Sequence, residues 1–220
     1  MNLALFDLDD TLLNGDITQL WSDWLINLGW IEDAHVYRAS FAEHMRAYAA
    51  GELDMEEHLN LLLRPLEGRA VHDVSAQVDA FLSNEVIPRL FPGGLERLAW
   101  HRDQGHQILI ISASTAHLVA PLAQRLDLDG ALATALEVDH SANPPRYTGR
   151  ATGIRTFREG KLMALESWLN GQTPHSTWGY SDSRNDIPLL EAVDHAYAIH
   201  PDPTLASIAQ ARRWEMPDWR

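Results

Sequence analysis

Short runs of consecutive apolar residues recur along this chain of 220 residues and constrain its fold more than any other feature. Each run has the length of a strand that is covered on both faces. Helical patterns lie between the runs, and strands that alternate with helices predict a mostly parallel sheet. The predicted fold class is therefore α/β, a doubly wound Rossmann-like sheet with strands at 3–6, 108–111, 177–180 and 196–199 and helices at 92–104, 116–126 and 160–169.

The segment from residue 14 to residue 88 has a different pattern, because it contains no convincing strand. Tryptophan and leucine residues recur there at helical spacing, beginning with Trp21 and Trp24. We therefore expect three or four amphipathic helices in this segment. They would form an inserted all-α cap domain at 14–88, and residues 1–13 and 89–220 would form the α/β core.

A β-hairpin is predicted in the second half of the chain. Residues 136–140 and 146–151 are possible short strands, and Asn143-Pro144-Pro145 between them is typical of a turn.

The charge of the chain excludes several classes of partner. The formal net charge is −14, from 17 basic and 31 acidic side chains, so neither nucleic acids nor anionic membranes are expected as partners.

The absence of cysteine excludes disulfides, zinc–thiolate sites and thiol catalysis. The first residues lack the pattern of a signal peptide, and no apolar stretch of about 18 residues is present for a membrane helix. The sequence therefore predicts a cytoplasmic protein.

An Asp-x-Asp pair directly follows the first apolar run, in the sequence Phe6-Asp7-Leu8-Asp9-Asp10-Thr11-Leu12. Residues two apart on a strand point the same way, and ligands of open α/β sheets bind beyond the carboxyl ends of the strands. Asp7 and Asp9 are therefore candidates to hold a divalent cation, or to act as nucleophile and proton carrier. The simpler interpretation, a helix cap or an acidic turn, fits an isolated Asp-x-Asp better than this longer string.

A second motif ends the apolar run at 108–111. The hydroxyl of Ser112 can donate to a phosphate oxygen. The small residues Ala113 and Ser114 let backbone N–H groups approach the same anion at a helix N-terminus. Taken alone, this motif is more simply an N-cap serine.

Two more motifs lie further along the chain. Lys161 follows a glycine at a predicted helix start, where the helix dipole disfavours a cation. The loop after 177–180 supplies Asp182 as a candidate cation ligand and Asp186 as a residue that orients the site. Taken alone, each is more simply a surface lysine or an acidic loop.

Together, the four motifs resemble those of the haloacid dehalogenase superfamily, in the same order along the chain. That family has Asp-x-Asp-x-Thr, a Ser or Thr that ends an apolar strand, a Lys, and a loop with paired aspartates. The resemblance is to its phosphoserine-phosphatase-like branch, subclass IB, whose helical cap lies between the first and second motifs. It covers nearly the whole chain and implies a magnesium-dependent phosphatase.

The resemblance also implies a role for each motif residue. Asp7 attacks phosphorus and forms an aspartyl-phosphate, while Asp9 protonates the leaving oxygen and then activates water. Thr11 supports the loop of Asp7. The implied magnesium site consists of Asp7, the backbone oxygen of Asp9, Asp182 and the associated Asp186, and the implied phosphoryl site consists of Ser112, Ala113, Ser114, Lys161 and Asn185.

The residues that select the substrate depart from the resembled branch. In that branch an acidic residue after the first motif binds the substrate amine, and Asp16 stands at this position. A cap arginine binds the substrate carboxylate there, but Leu62 stands at its position, and Arg64 points elsewhere on the helix. Without this bidentate contact a carboxylate binds weakly. The expected partner is a small phosphorylated metabolite with an amine and no carboxylate, for example histidinol phosphate.

Other functions remain open at this point. Within the same fold they are a phosphoserine phosphatase and a phosphotransferase. From other functional classes they are a phosphoacceptor signalling domain and an inactive phosphate-binding protein on the same fold. The chain is expected to be a monomer or a homodimer. Its eleven histidines show no metal-binding spacing, and most of them are expected at the surface or in loops.

Overall fold

The computed structural model describes residues 1–220, except for the side chain of Ala49. Its described residues contain one sheet of six strands in the order β4-β3-β2-β1-β5-β6. Neighbouring strands run parallel except for β3 and β4, which form an antiparallel pair at one edge. The strands are β1 (Asn2–Phe6), β2 (Gln107–Thr115), β3 (Gly130–Asp139), β4 (Arg146–Thr152), β5 (Ser176–Ser181) and β6 (His195–Ala198).

Strand β1 lies inside the sheet because its residues are apolar on both faces. Leu3, Ala4, Leu5 and Phe6 are each fully buried. Their side chains alternate between two hydrophobic clusters, with Ala4 and Phe6 in the larger and Leu3 and Leu5 in the smaller. The predicted α/β class is confirmed, and each of the four predicted apolar runs contributes a strand to the parallel part.

The three helices predicted in the core, at 92–104, 116–126 and 160–169, begin and end within about one residue of these positions. None of the helices in the described part of the chain is both long and apolar enough to cross a membrane. The helices are α1 (Ile17–Asn27), α2 (Ala34–Ala50), α3 (Met55–Leu63), α4 (Val71–Phe81), α5 (Pro92–Asp103), α6 (Ala116–Arg125), α7 (Glu159–Leu169), α8 (Ile187–Ala192) and α9 (Pro203–Arg212).

Helices α1 to α4 lie in the segment proposed as a cap, which adds no strand to the sheet among the described residues. The chain enters and leaves this segment side by side. The N–H of Asn14 donates to the carbonyl of Arg89 at 2.9 Å, and Leu13 and Leu90 form an antiparallel bridge. This pairing supports an insert at 14–88. The insert is not separate in its packing, because Trp21 belongs to the same hydrophobic cluster as Phe6.

The predicted hairpin is strands β3 and β4, and it contacts the insert directly. The N–H of Gly68 donates to the carbonyl of Tyr147 at 2.8 Å, and the N–H of Tyr147 donates to the carbonyl of Arg69 at 3.0 Å. Gly149 has a φ of 76°, and a Cβ at this position would lie 2.9 Å from the Cβ of Glu67. A glycine is therefore required where the hairpin meets the insert.

Candidate active site

The carboxyl ends of β1, β2 and β5 open onto one cavity of about 330 Å³. These strands are neighbours in the sheet, so the residues that follow them meet at one edge. The insert forms the opposite wall. Ser112 does not line the cavity, whereas the other predicted site residues do: Asp7, Asp9, Asp16, Ala113, Ser114, Lys161, Asp182, Asn185 and Asp186.

Lys161 provides positive charge in the depth of this cavity. Its ammonium donates to Oδ1 of Asp7 at 2.7 Å and to Oδ2 of Asp186 at 2.6 Å. Oδ2 of Asp186 also accepts a hydrogen bond from the Ser181 hydroxyl at 2.6 Å. Burial by itself would lower the pKa of Lys161, but Asp186 and Asp7 outweigh burial and raise it. Lys161 therefore stays charged and is oriented by Asp186. Oδ2 of Asp186 is occupied by its hydrogen bonds to Lys161 and Ser181.

The carboxylate of Asp9 is held by two donors. The backbone N–H of Ile17 donates to Oδ1 at 2.6 Å, and the hydroxyl of Ser114 donates to Oδ2 at 2.9 Å. Burial, followed by the negative charges of Asp16 and Asp7, raises the pKa of Asp9 well above its usual range. A raised pKa favours the protonated carboxyl, which is the form that acts as a general acid.

The negative charge of Asp7 and Asp182 in the same cavity is compensated only in part, because Lys161 contacts Asp7 and not Asp182. Burial raises the pKa of Asp7 to about 6. Burial and repulsion by Asp7 and Asp186 raise the pKa of Asp182 well above its usual range. The hydroxyl of Thr11 donates to Oδ1 of Asp182 at 3.4 Å. So many buried carboxylates around one lysine favour a further cation, and oxygen donors suit Mg²⁺.

The side chains alone do not outline a metal site. No three His, Asp or Glu side chains of the described residues converge on one metal-sized position. A site made from the side chains of Asp7 and Asp182 and the backbone oxygen of Asp9 does not require such a group. These residues therefore fit a magnesium ion in the chemistry of their donors.

The second motif differs from its prediction in local structure. Strand β2 continues to Thr115, so Ala113 and Ser114 lie in a strand instead of at a helix N-terminus. The strand is longer because its pairing with β3 resumes at Thr115 after a register shift. Ser112 is fully buried, and its Oγ accepts the N–H of Ser114 at 3.1 Å. Ser112 thus supports Ser114, whose hydroxyl reaches Asp9.

The profile of haloacid dehalogenase-like hydrolases matches residues 4–191. This stretch contains every motif residue of the cavity. The chain belongs to the haloacid dehalogenase-like hydrolase family.

The relatives within this family carry two different names. The chain is 31% identical over 224 residues to the histidinol-phosphatase of Neisseria meningitidis serogroup C, covering 100% of this chain and 99% of the relative. It is 31% identical over 228 residues to the phosphoserine phosphatase SerB1 of Mycobacterium tuberculosis, covering 99% and 70%. A solved structure of a protein of unknown function from Bordetella pertussis Tohama I has a TM-score of 0.89 and 33% identity, covering 100% and 99%. The prediction of a phosphatase is confirmed.

The insert gives this phosphatase a wall that carries negative charge. Asp16 lines the cavity and is also the N-cap of α1, where its Oδ1 accepts the N–H of Gln19 at 2.8 Å. Burial raises the pKa of Asp16. Leu62 lines the cavity and Arg64 is exposed, as predicted. No arginine occurs among the described residues that line the cavity.

The sequence analysis missed His58, and the fully buried His101 is an exception to the expectation that most histidines lie at the surface or in loops. His58 lines the cavity, and its Nδ1 lies 3.3 Å from Nδ1 of His44. Burial, with a smaller effect of His44, lowers the pKa of His58 to about 4, so its ring is neutral at neutral pH. A signal was present, because His58 lies one helical turn before Leu62 on the same face of α3.

A second signal was also overlooked. Lys161 is the only lysine of the chain, and the other basic residues among the 17 are arginines. One buried position thus has a compact ammonium in a chain whose other basic side chains are guanidinium groups. This indicates a site where lysine and arginine are not interchangeable.

Proposed function

We propose that this phosphatase hydrolyses histidinol phosphate through an aspartyl-phosphate on Asp7, with Mg²⁺ as its cofactor. The observation that carries the proposal is the position of Asp7. Its carboxylate lies against the ammonium of Lys161, in a cavity whose other wall contains the carboxylate of Asp16 and, among the described lining residues, no arginine.

The contacts of Asp7 and Asp9 support two successive displacements. Lys161 holds Oδ1 of Asp7, so the other carboxylate oxygen is available to form a bond to phosphorus. As that bond forms, the bond from phosphorus to the substrate alcohol breaks, and Asp9 gives its proton to the departing oxygen. Asp9 then takes a proton from a water molecule that attacks phosphorus. Inorganic phosphate leaves, and the carboxylate of Asp7 and the proton of Asp9 are restored.

Positive charge is required because a carboxylate and a phosphate dianion repel each other. Lys161 supplies one charge and remains next to Asp7 throughout. Magnesium, held by Asp7, Asp182 and the backbone oxygen of Asp9, would supply the remaining positive charge. Ser114 and Asn185 line the same part of the cavity and would donate to the phosphoryl oxygens.

The substrate follows from the charges of the cavity wall. Histidinol phosphate has an ammonium, which Asp16 attracts, and an imidazole ring, which the neutral His58 can hydrogen-bond. Phosphoserine has a carboxylate, which would face Asp16. None of the described residues that line the cavity is an arginine that could bind this carboxylate. The relative named histidinol-phosphatase, matched over its whole length, supports this choice. The relative named phosphoserine phosphatase makes phosphoserine the second candidate.

Steady-state kinetics with magnesium test the proposal. We expect kcat/KM for histidinol phosphate to exceed that for phosphoserine by about 100-fold, since a lost bidentate charge contact weakens binding by this order. Asp7→Asn, which keeps the shape of the side chain, should release no phosphate from either substrate, and excess chelator should stop the wild-type reaction. An equal or faster turnover of phosphoserine would reject histidinol phosphate as the substrate. Turnover by the Asp7→Asn variant would reject the mechanism.

The same assay separates hydrolysis from phosphotransfer. With an added alcohol, a hydrolase releases as much inorganic phosphate as without it. A phosphotransferase instead releases less inorganic phosphate than the amount of substrate it consumes, because part of the phosphoryl groups goes to the alcohol.

A further inference from the structure

A loop between β4 and α7, at residues 153–158, reaches from the core to the insert. Within it, Nη2 of Arg158 donates to the carbonyl of Gly51 at 2.9 Å, and Nε donates to Oδ1 of Asn185 at 3.1 Å. Gly51 directly follows α2 of the insert, and Asn185 lines the active-site cavity. One guanidinium therefore joins the insert to the loop that carries the fourth motif.

This contact fixes the orientation of the Asn185 amide. A guanidinium has donors and no acceptor, so the amide atom that faces Arg158 must be the carbonyl oxygen. The amide NH₂ group then faces the other side, where it lies 3.3 Å from Oγ of Ser183. Ser183 and Asn185 both line the cavity, so the donor end of the amide is directed to the side where a phosphoryl group would bind.

The other end of Arg158 is placed by the end of α2. Gly51 adopts a left-handed conformation with φ 81° and ends this helix. The carbonyls at a helix C-terminus carry partial negative charge, which attracts a guanidinium. Arg158 also has an unusual backbone, with φ 51° and ψ −122°, which is costly for a residue with a side chain. A conformation of this kind is typical of a residue that is held for function.

We propose that Arg158 is a positioning residue for the phosphatase reaction. Held by the carbonyl of Gly51, it turns the amide of Asn185 so that the NH₂ group donates to the phosphoryl group. The insert thereby controls a contact made by the core. This inference rests on the active site of the proposed function but not on histidinol phosphate as the substrate.

The same loop offers a matched control. Arg155 also joins the core to the insert, because its Nε and Nη2 donate to the carboxylate of Glu56 at 2.7 and 3.1 Å. Its hydrogen bonds do not involve Asn185. Loss of Arg155 therefore removes a contact with the insert and leaves the amide orientation as it is.

A double-mutant cycle on kcat, with p-nitrophenyl phosphate and magnesium, tests the inference. We expect Arg158→Ala and Asn185→Ala each to lower kcat roughly 10-fold, since small misplacements of binding groups have effects of this order or larger. The double variant should then be no more than about 2-fold below Asn185→Ala, because Arg158 acts through Asn185. The losses from Arg155→Ala and Asn185→Ala should instead multiply.

The inference would be overturned if the kcat of the variant that lacks both Arg158 and Asn185 fell by the product of the two single losses. If thermal unfolding shows that Arg158→Ala is misfolded, Arg158→Gly replaces it in the cycle, because glycine tolerates a positive φ. The same variants are assayed in parallel on histidinol phosphate. A wild-type protein that hydrolyses p-nitrophenyl phosphate but not histidinol phosphate would reject the proposed substrate, while the cycle would still test Arg158.

Discussion

The ammonium of Lys161 lies 2.7 Å from Oδ1 of Asp7, although 154 positions separate the two residues along the chain. They meet because β1 ends at Phe6 and α7 begins at Glu159 on the same edge of the sheet. Lys161 is 3% exposed, so the contact is screened very little by solvent. The folding of this edge and the reactivity of Asp7 therefore depend on the same charge pair.

The first prediction concerns Lys161→Met, which keeps most of the volume and removes the charge. Asp7 and Asp186 would be left buried without their cation, and breaking a buried pair in this way costs about 3–5 kcal/mol of the free energy of unfolding. Urea unfolding near neutral pH measures this loss, and phosphate release should fall below detection. The control is Arg212→Met, which removes the exposed pair with Glu191 and should cost at most about 1 kcal/mol. Equal losses in the two variants would contradict the prediction.

The second prediction concerns pH and metal together. The folded-state pKa of Asp7 is raised to about 6, and those of Asp9 and Asp182 are raised well above their usual range. A carboxyl whose folded pKa is raised binds more protons in the folded state, so its contribution to stability is complete below the unfolded pKa and is lost as the pH rises through the folded pKa. These three carboxyls should therefore lower the unfolding temperature of the metal-free protein at about pH 8 relative to about pH 5.5. The buried histidines His58, His101 and His117, whose pKa is lowered by burial, have the opposite effect, so the contribution of the carboxyls is measured as the difference from a variant that lacks one of them.

Magnesium should reverse this trend, because it binds the deprotonated carboxylates and stabilises the folded state most at high pH. Thermal unfolding in chelator and in excess magnesium, at both pH values, measures the effect. Asp182→Asn should reduce the pH dependence of the metal-free protein, since it removes one of the raised groups. If Asp182→Asn left the pH dependence of the metal-free protein unchanged, the charged carboxylate of Asp182 would not be destabilising.

The sheet shows which elements a single sequence can predict. The interior strands were predicted because every residue of a run such as 3–6 is apolar. A short run of this kind fits a strand that is buried on both faces. The first half of β3, from Gly130 to Ala135, was not predicted. It is rich in alanine, its only β-branched residue is Thr134, and it has no alternation of apolar and polar residues that would mark a strand. Its pairing with β2 decides its structure, and this information lies elsewhere in the chain.

In the active site, too, features set by neighbouring residues were predicted and features set by distant residues were not. Asp7, Asp9, Lys161 and Asp182 were predicted because each lies at a fixed offset from an apolar run or a helix start. Arg158 could not be predicted in this way. Its partners are Gly51 and Asn185, which lie 107 and 27 positions away, and no local pattern specifies contacts of this kind. The end of a strand can be predicted from neighbouring residues, whereas a bridge between the insert and the core depends on the complete fold.

The third prediction separates two roles of Asp16. Its carboxylate caps α1, so replacement by alanine would weaken the helix as well as the substrate site. Asp16→Asn retains a good N-cap and removes only the charge. We expect KM for histidinol phosphate, which has an ammonium, to rise about 10-fold, in line with the loss of one charged hydrogen bond. KM for p-nitrophenyl phosphate, which has no amine, should change by less than about 2-fold. Equal effects on both substrates would exclude an amine site at Asp16.

The fourth prediction concerns His58, which faces the cavity from α3 beside Leu62. Its Nδ1 lies against His44, so its Nε2 is the ring nitrogen available to a ligand. His58→Phe keeps an aromatic ring next to Phe41, whose ring centroid lies 5.9 Å from that of His58, and removes the hydrogen-bonding nitrogens. KM for histidinol phosphate should rise about 10-fold, because the substrate imidazole would lose a partner in a buried position.

Phosphoethanolamine makes the fourth prediction specific, since it has the phosphate and an amine but no ring. Its KM should be unchanged by His58→Phe and raised by Asp16→Asn, so the two variants divide the substrate into a ring and an ammonium. His72→Phe is the matched control, because His72 is exposed on α4 and does not line the cavity. If His58→Phe weakened both substrates equally, His58 would shape the insert wall and would not bind the ring. Because the pKa of His58 is lowered to about 4, His58 stays neutral from about pH 6 to 8. The effect of His58→Phe is therefore measured at about pH 8, where the substrate imidazole, whose usual pKa is about 6.5, is neutral as well.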